Sequence, residues 1–193
     1  MAMAVEKILG DYLTDGIAIV KIAEETDEFR KTRVFVGGHP IPNEAGLQAS
    51  REVLKLIDGA CAEDLFFCVM SGGSSALMNC PVEGLTLQDE IDTTNILLKS
   101  GANIREINAV RRHISAMNGG RMAQRIAEKG AELVGFNISD SVAYGPTGDI
   151  SVPWENFSAT PMGPDQTTVE DALAVIRDYD LENRLPERVI HYL

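Results

Sequence analysis

The stretch that decides the fold is residues 65–80, LFFCVMSGGSSALMNC, where an apolar run ends abruptly in small residues. Residues 65–70 are all apolar, without the alternation of a half-exposed strand, so they predict a β-strand buried on both faces. The two glycines in residues 71–75 let a ligand approach the main-chain N–H groups closely. A strand, a glycine-serine loop and a helix start predict an anion site; the alternative is a tight turn without a ligand.

Strand and helix patterns alternate on both sides of this stretch. Short β-branched segments predict strands at 16–20, 33–36 and 133–138, and helical spacing with capping residues predicts helices between and after them. Such alternation favours parallel strands that are joined by right-handed crossovers. We therefore expect an α/β fold with a mostly parallel sheet covered by helices.

Composition limits the class of protein. Of 193 residues 45% are hydrophobic, which is enough for a substantial core. The formal net charge of −12 argues against general binding of nucleic acid or of an anionic membrane. Cys61, Cys68 and Cys80 form no CxxC pair and predict buried thiols. No apolar stretch approaches the roughly 20 residues that span a bilayer, so we expect a soluble, cytoplasmic protein.

Ligands of open α/β sheets bind beyond the carboxyl ends of the strands. The predicted loops there are GGHP at 37–40, SGGSS at 71–75, the pair at 139–140, and Lys21. No phosphate-loop GK[ST] and no GxGxxG follows a strand, so a dinucleotide-binding dehydrogenase has little local support. The glycine-serine loop, defined as residues 71–75, is therefore the first candidate site.

Charged residues are further candidates for binding a ligand or a metal ion, and each also has an ordinary structural explanation. Arg111 and Arg112 are adjacent on one predicted helix, with Asn108 one turn earlier, and a guanidinium suits carboxylates and phosphates. A solvated basic face explains the pair equally well. Asp140 and Asp149 can hold Mg²⁺ through carboxylate oxygens, although an aspartate after a strand is also an ordinary cap or turn residue. Residues 141–167 contain four prolines without a sustained period, which predicts an irregular active-site loop or insertion.

Four segments in order resemble the type 2 glycerate kinases of the MOFRL class. They are GHPIPNEAG at 38–46, SGGSSAL at 71–77, GANIREINAVRRH at 101–113 and GGR at 119–121. The resemblance implies a three-layer α/β/α domain with a Rossmann-like sheet, facing a second domain across the active-site cleft. It also implies transfer of the γ-phosphoryl group of ATP to the 2-hydroxyl of D-glycerate.

The resemblance implies roles for individual residues. Arg111 and Asp140 would be catalytic, and Mg²⁺ would be held by Asp140 and Asp149. Phosphate oxygens would be bound by Ser71, Gly72, Gly73, Ser74 and Ser75. Glycerate would be bound by His39, Asn108, Arg111 and Arg112.

This chain also departs from the family pattern. The family's lysine segment, expected before residue 1, and its MOFRL domain, expected after residue 193, are absent from the sequence. Residues 141–147 look inserted, and TPMGPD at 160–165 replaces SGPTxPDP. We therefore expect residues 1–193 to be a single α/β domain fragment without full activity, with a homodimer as an option. The alternatives are an oxidoreductase acting on hydroxypyruvate and a non-catalytic domain that binds a small anion.

Overall fold

The structure, a computed structural model, describes residues 1–23, 29–138 and 160–193. Strands and helices alternate through most of this length, as the sequence predicts. In chain order the elements are α1 (Ala2–Leu9), a 3₁₀ turn (Gly10–Tyr12), β1 (Gly16–Val20), β2 (Thr32–Val36), α2 (Glu44–Asp58), β3 (Leu65–Met70), α3 (Ser74–Leu77), α4 (Leu87–Ser100), α5 (Ile104–His113), α6 (Arg121–Glu128), β4 (Glu132–Asn137), α7 (Val169–Asp178) and α8 (Glu187–Tyr192).

The described strands form two parallel pairs. β1 pairs with β2, with Gly16 opposite Thr32, and β3 pairs with β4, with Leu65 opposite Glu132. Parallel neighbours need long crossovers, and the connection from β3 to β4 carries four helices, α3 to α6. The predicted α/β class with parallel strands is confirmed, and within the described residues the two pairs are separate two-stranded sheets.

One face of the β3–β4 pair is exposed, so the prediction that β3 is buried on both faces is wrong. Phe66 and Cys68 pack against the core, but Leu65 and Phe67 on the opposite face are 50% and 37% exposed. The neighbouring Phe136 of β4 is 51% exposed. An unbroken apolar run predicts a strand, but it does not show that this chain covers both of its faces.

Two apolar clusters pack the helices, one against the strands and one against other helices. The first packs α2 and α6 on the inner face of β3 and β4, through Leu47, Ile57, Met70, Met122 and Ile126. The second joins α4, α5 and α7, through Leu97, Ile107, Val110, Ala172, Val175 and Ile176. Burial of such side chains stabilises the fold by about 1.5–3 kcal/mol each. The second cluster fixes α5, which carries Asn108 and the two arginines.

Side-chain caps start the main helices, and those of α2, α4 and α5 lie where the sequence predicts. Reciprocal capping boxes form at α4, α5 and α7, where Thr86 pairs with Asp89, Asn103 with Glu106, and Thr168 with Asp171. The Asn43 side chain accepts a hydrogen bond from the Gly46 N–H at the start of α2. A side-chain cap is worth roughly 1 kcal/mol. Short-range signals therefore fix the starts of these helices.

The three cysteines differ in burial. All three are free thiols, and Cys80 is buried and Cys68 half-buried, whereas Cys61 is exposed in the turn before β3. The prediction of buried thiols is therefore wrong for Cys61. Burial raises the pKa of Cys68 to about 12, which leaves this thiol unreactive.

Among the described residues, no helix is both long enough and apolar enough to cross a membrane.

Candidate functional site

The ends of β2 and β3 bring two predicted loops together. Gly73 has a φ of +83°, and a Cβ built on it would lie 2.6 Å from Nε2 of His39, so the imidazole lies directly against the glycine-serine loop. Gly37 also approaches the segment after this loop, since its Cβ would lie 3.1 Å from Cδ2 of Leu77. The GGHP and SGGSS segments therefore form one surface, although β2 and β3 are not paired with each other within the described residues.

The glycine-serine loop turns directly into a very short helix. The Ser74 N–H donates to the Ser71 carbonyl at 3.4 Å, and the Ala76 N–H donates to the Gly73 carbonyl at 3.1 Å. Ser71 and Gly72 are exposed, while the other three loop residues are half-buried. Because α3 has only four residues, its dipole is small, and an anion here needs a positive side chain nearby.

Arg111 supplies that positive charge. Its Nη2 donates to the Ser75 carbonyl oxygen at 3.3 Å, and its Nη1 donates to Oδ1 of Asn108 at 3.4 Å. These contacts occupy two of the five N–H donors of a guanidinium, so the group can also bind a carboxylate or phosphate oxygen. Burial lowers the pKa of Arg111, and the field of Glu90 opposes this shift. The structure thus brings Arg111, Asn108 and the predicted loop together.

Asn118, which sequence reasoning missed, holds the same carbonyl from the other side. Its Nδ2 donates to the Ser75 carbonyl at 3.3 Å and to Oγ of Ser115 at 3.1 Å. Oγ of Ser115 also accepts the Asn118 N–H at 3.1 Å. Its position directly before Gly119 was the signal available in the sequence. Two side-chain donors on one loop carbonyl fix the loop against the end of α5.

Arg112 does not lie at this surface. Adjacent helical residues point about 100° apart, and the Arg112 side chain is only 2% exposed, with Nη1 donating to Oδ1 of Asp165 at 2.7 Å. The Thr167 hydroxyl donates to the same oxygen at 2.6 Å. Burial raises the pKa of Asp165, but hydrogen bonds from Thr167 and Arg112 outweigh burial and hold the pKa below its ordinary value.

The Arg112–Asp165 pair borders a cavity of about 550 Å³, whose lining includes His113, Gly119, Gly120, Asp165 and Thr167. Nδ1 of His113 donates to the Ala109 carbonyl at 2.7 Å and lies 3.9 Å from Oδ2 of Asp165. Gly120 packs on residues 160–167, because its Cβ would lie 2.7 Å from the Gly163 carbonyl. The GGR segment and the altered 160–165 segment are thus neighbours in space.

The predicted metal ligands cannot be placed. Asp140 and Asp149 lie outside the described residues, so their roles remain predictions. Within the parts of the chain that the structure describes, no group of three or more His, Cys, Asp and Glu side chains could hold a metal ion. Lys21, which follows β1, is exposed.

Glu90 is a second residue that the sequence did not single out. This side chain on α4 is 3% exposed, and its Oε2 is buried without a hydrogen-bond partner among the described residues. Burial raises the pKa of Glu90 to about 7, while Arg111 acts in the opposite direction. In the sequence it reads as an acidic residue in the first turn of a helix, where the helix dipole favours it. Its burial depends on tertiary packing, which gave no local signal.

Proteins similar to this chain include glycerate kinases. A glycerate 2-kinase of Pyrococcus horikoshii is 40% identical over 192 residues, which cover 98% of this chain and 40% of that protein. A solved structure of a glycerate kinase from Thermotoga maritima matches with a TM-score of 0.85 and 33% identity, covering 100% of this chain and 44% of that chain. A putative hydroxypyruvate reductase of Agrobacterium vitis is 34% identical over 190 residues, covering 97% of this chain and 40% of that protein.

These similarities confirm the resemblance to glycerate kinases that the four sequence segments predict. The chain spans less than half the length of the relatives it matches. The sequence pattern of the family described as a domain of unknown function, DUF4147, matches residues 1–193. The chain therefore belongs to the DUF4147 family.

Proposed function

We propose that this chain forms part of the active site of a kinase that transfers the γ-phosphoryl group of ATP to the 2-hydroxyl of D-glycerate. The observation that carries the proposal is the Arg111 guanidinium on the Ser75 carbonyl, beside an exposed glycine-serine loop and His39. The similarity to glycerate kinases supports the same reaction. Both substrates are anions, and this surface offers both a cationic fork and main-chain N–H groups.

In the reaction, the 2-hydroxyl oxygen of glycerate forms a bond to the γ-phosphorus. The bond from that phosphorus to the bridging oxygen of ADP breaks, and the hydroxyl proton is released, which gives 2-phosphoglycerate and ADP. Phosphoryl transfer depends mostly on positioning and on neutralisation of charge. A covalent nucleophile on the protein is therefore not required.

Each part of the site has a role in this proposal. N–H groups of residues 71–75 contact phosphate oxygens, and Arg111 balances the charge on the transferred group. His39 and Asn108 orient glycerate. Arg112 acts from inside the fold, because its ion pair with Asp165 holds residues 160–167 against the end of α5. We do not expect Arg112 to touch the substrate.

Mg²⁺ remains part of the proposal because it neutralises charge on the phosphates of ATP. Its candidate ligands are Asp140 and Asp149, outside the described residues, and Asp165 is already engaged by Arg112 and Thr167. Hard oxygen donors of this kind suit Mg²⁺. Activity that persists after removal of divalent cations with EDTA would exclude this part of the proposal.

A coupled assay of ADP release tests the main claim. The full-length protein that contains this chain is incubated with ATP and D-glycerate, and ³¹P NMR identifies the product as the 2-phosphate or the 3-phosphate. We expect turnover with D-glycerate and a 2-phosphate product. Turnover no faster than the background without glycerate would refute the proposal, and a 3-phosphate product would refute the assigned hydroxyl.

The second candidate is reduction of hydroxypyruvate, which one relative's name favours. The absence of GxGxxG after a strand in the sequence argues against it. Consumption of NADH in the presence of hydroxypyruvate would support reduction, whereas ADP release with glycerate supports phosphorylation. The same preparation can be used for both measurements.

Three further features remain part of the proposal. We propose a single α/β domain over residues 1–193, a cytoplasmic location, and an irregular segment at 141–167. The described part of that segment, residues 160–167, supports a position of the segment beside the site, because Asp165 and Thr167 line the cavity next to Gly119.

We propose a homodimer as an option for the oligomeric state, and light scattering of the native protein tests it.

A further inference from the structure

The carbonyl oxygen of Ser75, at the end of the glycine-serine loop, accepts two side-chain donors from different segments. Nη2 of Arg111 and Nδ2 of Asn118 each lie 3.3 Å from it. A main-chain carbonyl has two lone pairs, so it can accept both donors at once. The N–H of the same peptide unit, that of Ala76, donates to the Gly73 carbonyl at 3.1 Å. Both polar ends of this peptide unit are therefore hydrogen-bonded, which restricts its rotation.

The amide of Asn118 is held from its other side by Ser115. The second proton of Nδ2 points to Oγ of Ser115 at 3.1 Å, and the same Oγ accepts the main-chain N–H groups of Met117 at 3.2 Å and of Asn118 at 3.1 Å. A flipped amide would place Oδ1 against the Ser75 carbonyl, where two acceptors repel each other. The hydrogen-bond pattern therefore requires that Nδ2 faces Ser75.

Packing alone does not explain an asparagine at position 118. The residue is 2% exposed, and its Oδ1 is buried without a hydrogen-bond partner among the described residues. A buried amide oxygen without a partner lowers stability, because its desolvation is not compensated. An apolar side chain would avoid this cost, but it would leave the Ser75 carbonyl with Arg111 as its one side-chain donor. The observation favours a role for Nδ2 in the site.

The orientation of Arg111 depends on the same carbonyl. Its guanidinium donates to the Ser75 carbonyl at 3.3 Å and to Oδ1 of Asn108 at 3.4 Å. Both bonds are longer than is typical for N–H···O hydrogen bonds, so each holds the guanidinium only weakly. A carbonyl that Asn118 keeps in place gives Arg111 a fixed acceptor, whereas a carbonyl that turns away would release one side of the fork.

We propose that Asn118 is a positioning residue: through the Ser75 carbonyl, it holds the Arg111 guanidinium in the orientation that binds an anionic substrate. The inference rests on the proposed function, because it takes Arg111 to meet an anion. Asn118 is buried, so it does not touch the substrate itself. Its effect on anion binding passes through Arg111, and loss of Arg111 should abolish that effect.

A double-mutant cycle on sulfate affinity tests this dependence. The full-length protein that contains this chain is prepared as the native form, as Asn118→Leu, as Arg111→Gln and as the double variant, and calorimetry measures the binding of inorganic sulfate at one fixed pH. Leucine keeps the number of side-chain heavy atoms of asparagine and removes the donor. We expect Asn118→Leu to bind sulfate roughly fivefold less tightly than the native protein. The same substitution should change the affinity by less than about twofold once Arg111→Gln is present.

Equal weakening by Asn118→Leu with and without Arg111 would overturn the proposal, because it would show a general effect on the fold. Ser100→Ala is the matched control. It removes another side-chain hydrogen bond to a main-chain carbonyl, from Oγ of Ser100 to Leu97 at 2.8 Å, at the end of α4. This variant should bind sulfate as the native protein does.

The same cycle applies to the kinetics. Asn118→Leu should lower kcat/KM for D-glycerate by roughly fivefold in the native background and by less than about twofold in Arg111→Gln. A loss of folded protein alone would lower kcat/KM by the same factor in both backgrounds, and that outcome would contradict the proposal.

An NMR measurement on the native protein covers the case in which Asn118→Leu does not fold. Sulfate bound at Arg111 should shift the Nδ2 proton signals of Asn118, since the two side chains share the Ser75 carbonyl. The side-chain amide of Gln88, which donates to Asp92 on the exposed side of α4, should not shift. Unchanged Asn118 signals at saturating sulfate would overturn the proposal. Sulfate binding and NMR need no turnover, so they distinguish failure of this inference from failure of the kinase proposal.

Discussion

His39 and Gly73 come from two different strand ends and lie in direct contact, because the imidazole occupies the place of a Gly73 side chain. A Cβ on Gly73 would stand 2.6 Å from Nε2 and 2.7 Å from Cδ2 of His39. Glycine at this position therefore serves two purposes. It permits the left-handed backbone at φ +83°, and it leaves space for the histidine.

The first prediction is that Gly73→Ala displaces His39 and raises KM for glycerate. Gly84→Ala is the matched control, because Gly84 has a φ of +93° and no atom lies within 4 Å of the position that a Cβ would occupy there. Both variants should lose about 1–2 kcal/mol of stability from the left-handed backbone. Only Gly73→Ala should alter kinetics and the His39 NMR signals. Equal kinetics in the two variants would show that the contact has no part in the site.

The second prediction concerns the buried pair of Arg112 and Asp165. Asp165→Ala leaves a guanidinium that is 2% exposed without its partner, so we expect a loss of about 3–5 kcal/mol in the free energy of unfolding. Asp58→Ala is the control, since it breaks an exposed pair with Arg125 at 2.8 Å and should cost about 0.2–1 kcal/mol. Urea denaturation measures both values. Similar losses in the two variants would contradict a structural role for the buried pair.

The third prediction is the pH dependence of the same pair. The pKa of Asp165 is lower in the folded than in the unfolded protein, so its contribution to stability is present above the unfolded value of about 3.9. That contribution is lost as the pH falls through the folded pKa. The difference in unfolding free energy between the native protein and Asp165→Asn should therefore shrink below about pH 4. A constant difference down to pH 2 would contradict this assignment.

The fourth prediction concerns Glu90, whose pKa shifts in the other direction. Its folded pKa of about 7 lies above the unfolded value, so its favourable contribution is complete below the unfolded pKa and is lost as the pH rises through 7. Glu90→Gln should match the native protein near pH 4 and be more stable at pH 8, by up to about 3 kcal/mol. Asp92→Asn is the control, because it removes one negative charge from the less buried side of the same helix, and it should show no such gain. Thermal unfolding at both pH values measures the difference, and equal stability of Glu90→Gln and the native protein at pH 8 would contradict the shift.

Sequence reasoning succeeded where local chemistry decides the structure. The capping boxes begun by Thr86 and Asn103 each use residues three apart, so the sequence contains all their parts. The general rule that ligands of α/β sheets bind beyond the strand ends made His39 and the glycine-serine loop candidates for one site. The caps could be predicted without knowledge of the packing, whereas the contact of His39 with Gly73 depends on how the two strand pairs pack.

Sequence reasoning failed where segments that are distant in the chain decide which side chains are buried. Arg111 and Arg112 are equivalent in the sequence, and only the packing of α5 against α7 determines which one faces the loop. The partner of Arg112 is Asp165, 53 residues away in the chain, in a segment that departs from the family pattern. The exposed face of β3 has the same cause, because the sequence of a strand does not state what covers it. Propensity and spacing do not carry such long-range information.

The fifth prediction separates the two adjacent arginines by function. Arg111→Gln should lower kcat/KM for glycerate phosphorylation by roughly 10²-fold, because it removes one donor and the positive charge beside the loop. Its free energy of unfolding should change little by comparison with Arg112→Gln, which leaves Asp165 without its buried partner. Arg111→Lys should recover part of the activity, since it restores the charge without the planar fork.

Arg125→Gln is the control for loss of a single exposed cation, and it should leave the kinetics unchanged because Arg125 pairs with Asp58 at the surface. Steady-state kinetics and urea denaturation on the same four variants give the comparison. If Arg112→Gln lowers kcat/KM as much as Arg111→Gln while keeping native stability, then Arg112 reaches the substrate and the proposed division of roles is wrong. If instead activity follows Arg111 and stability follows Arg112, one helix turn supplies both the charge that binds the anion and the ion pair that holds the site together.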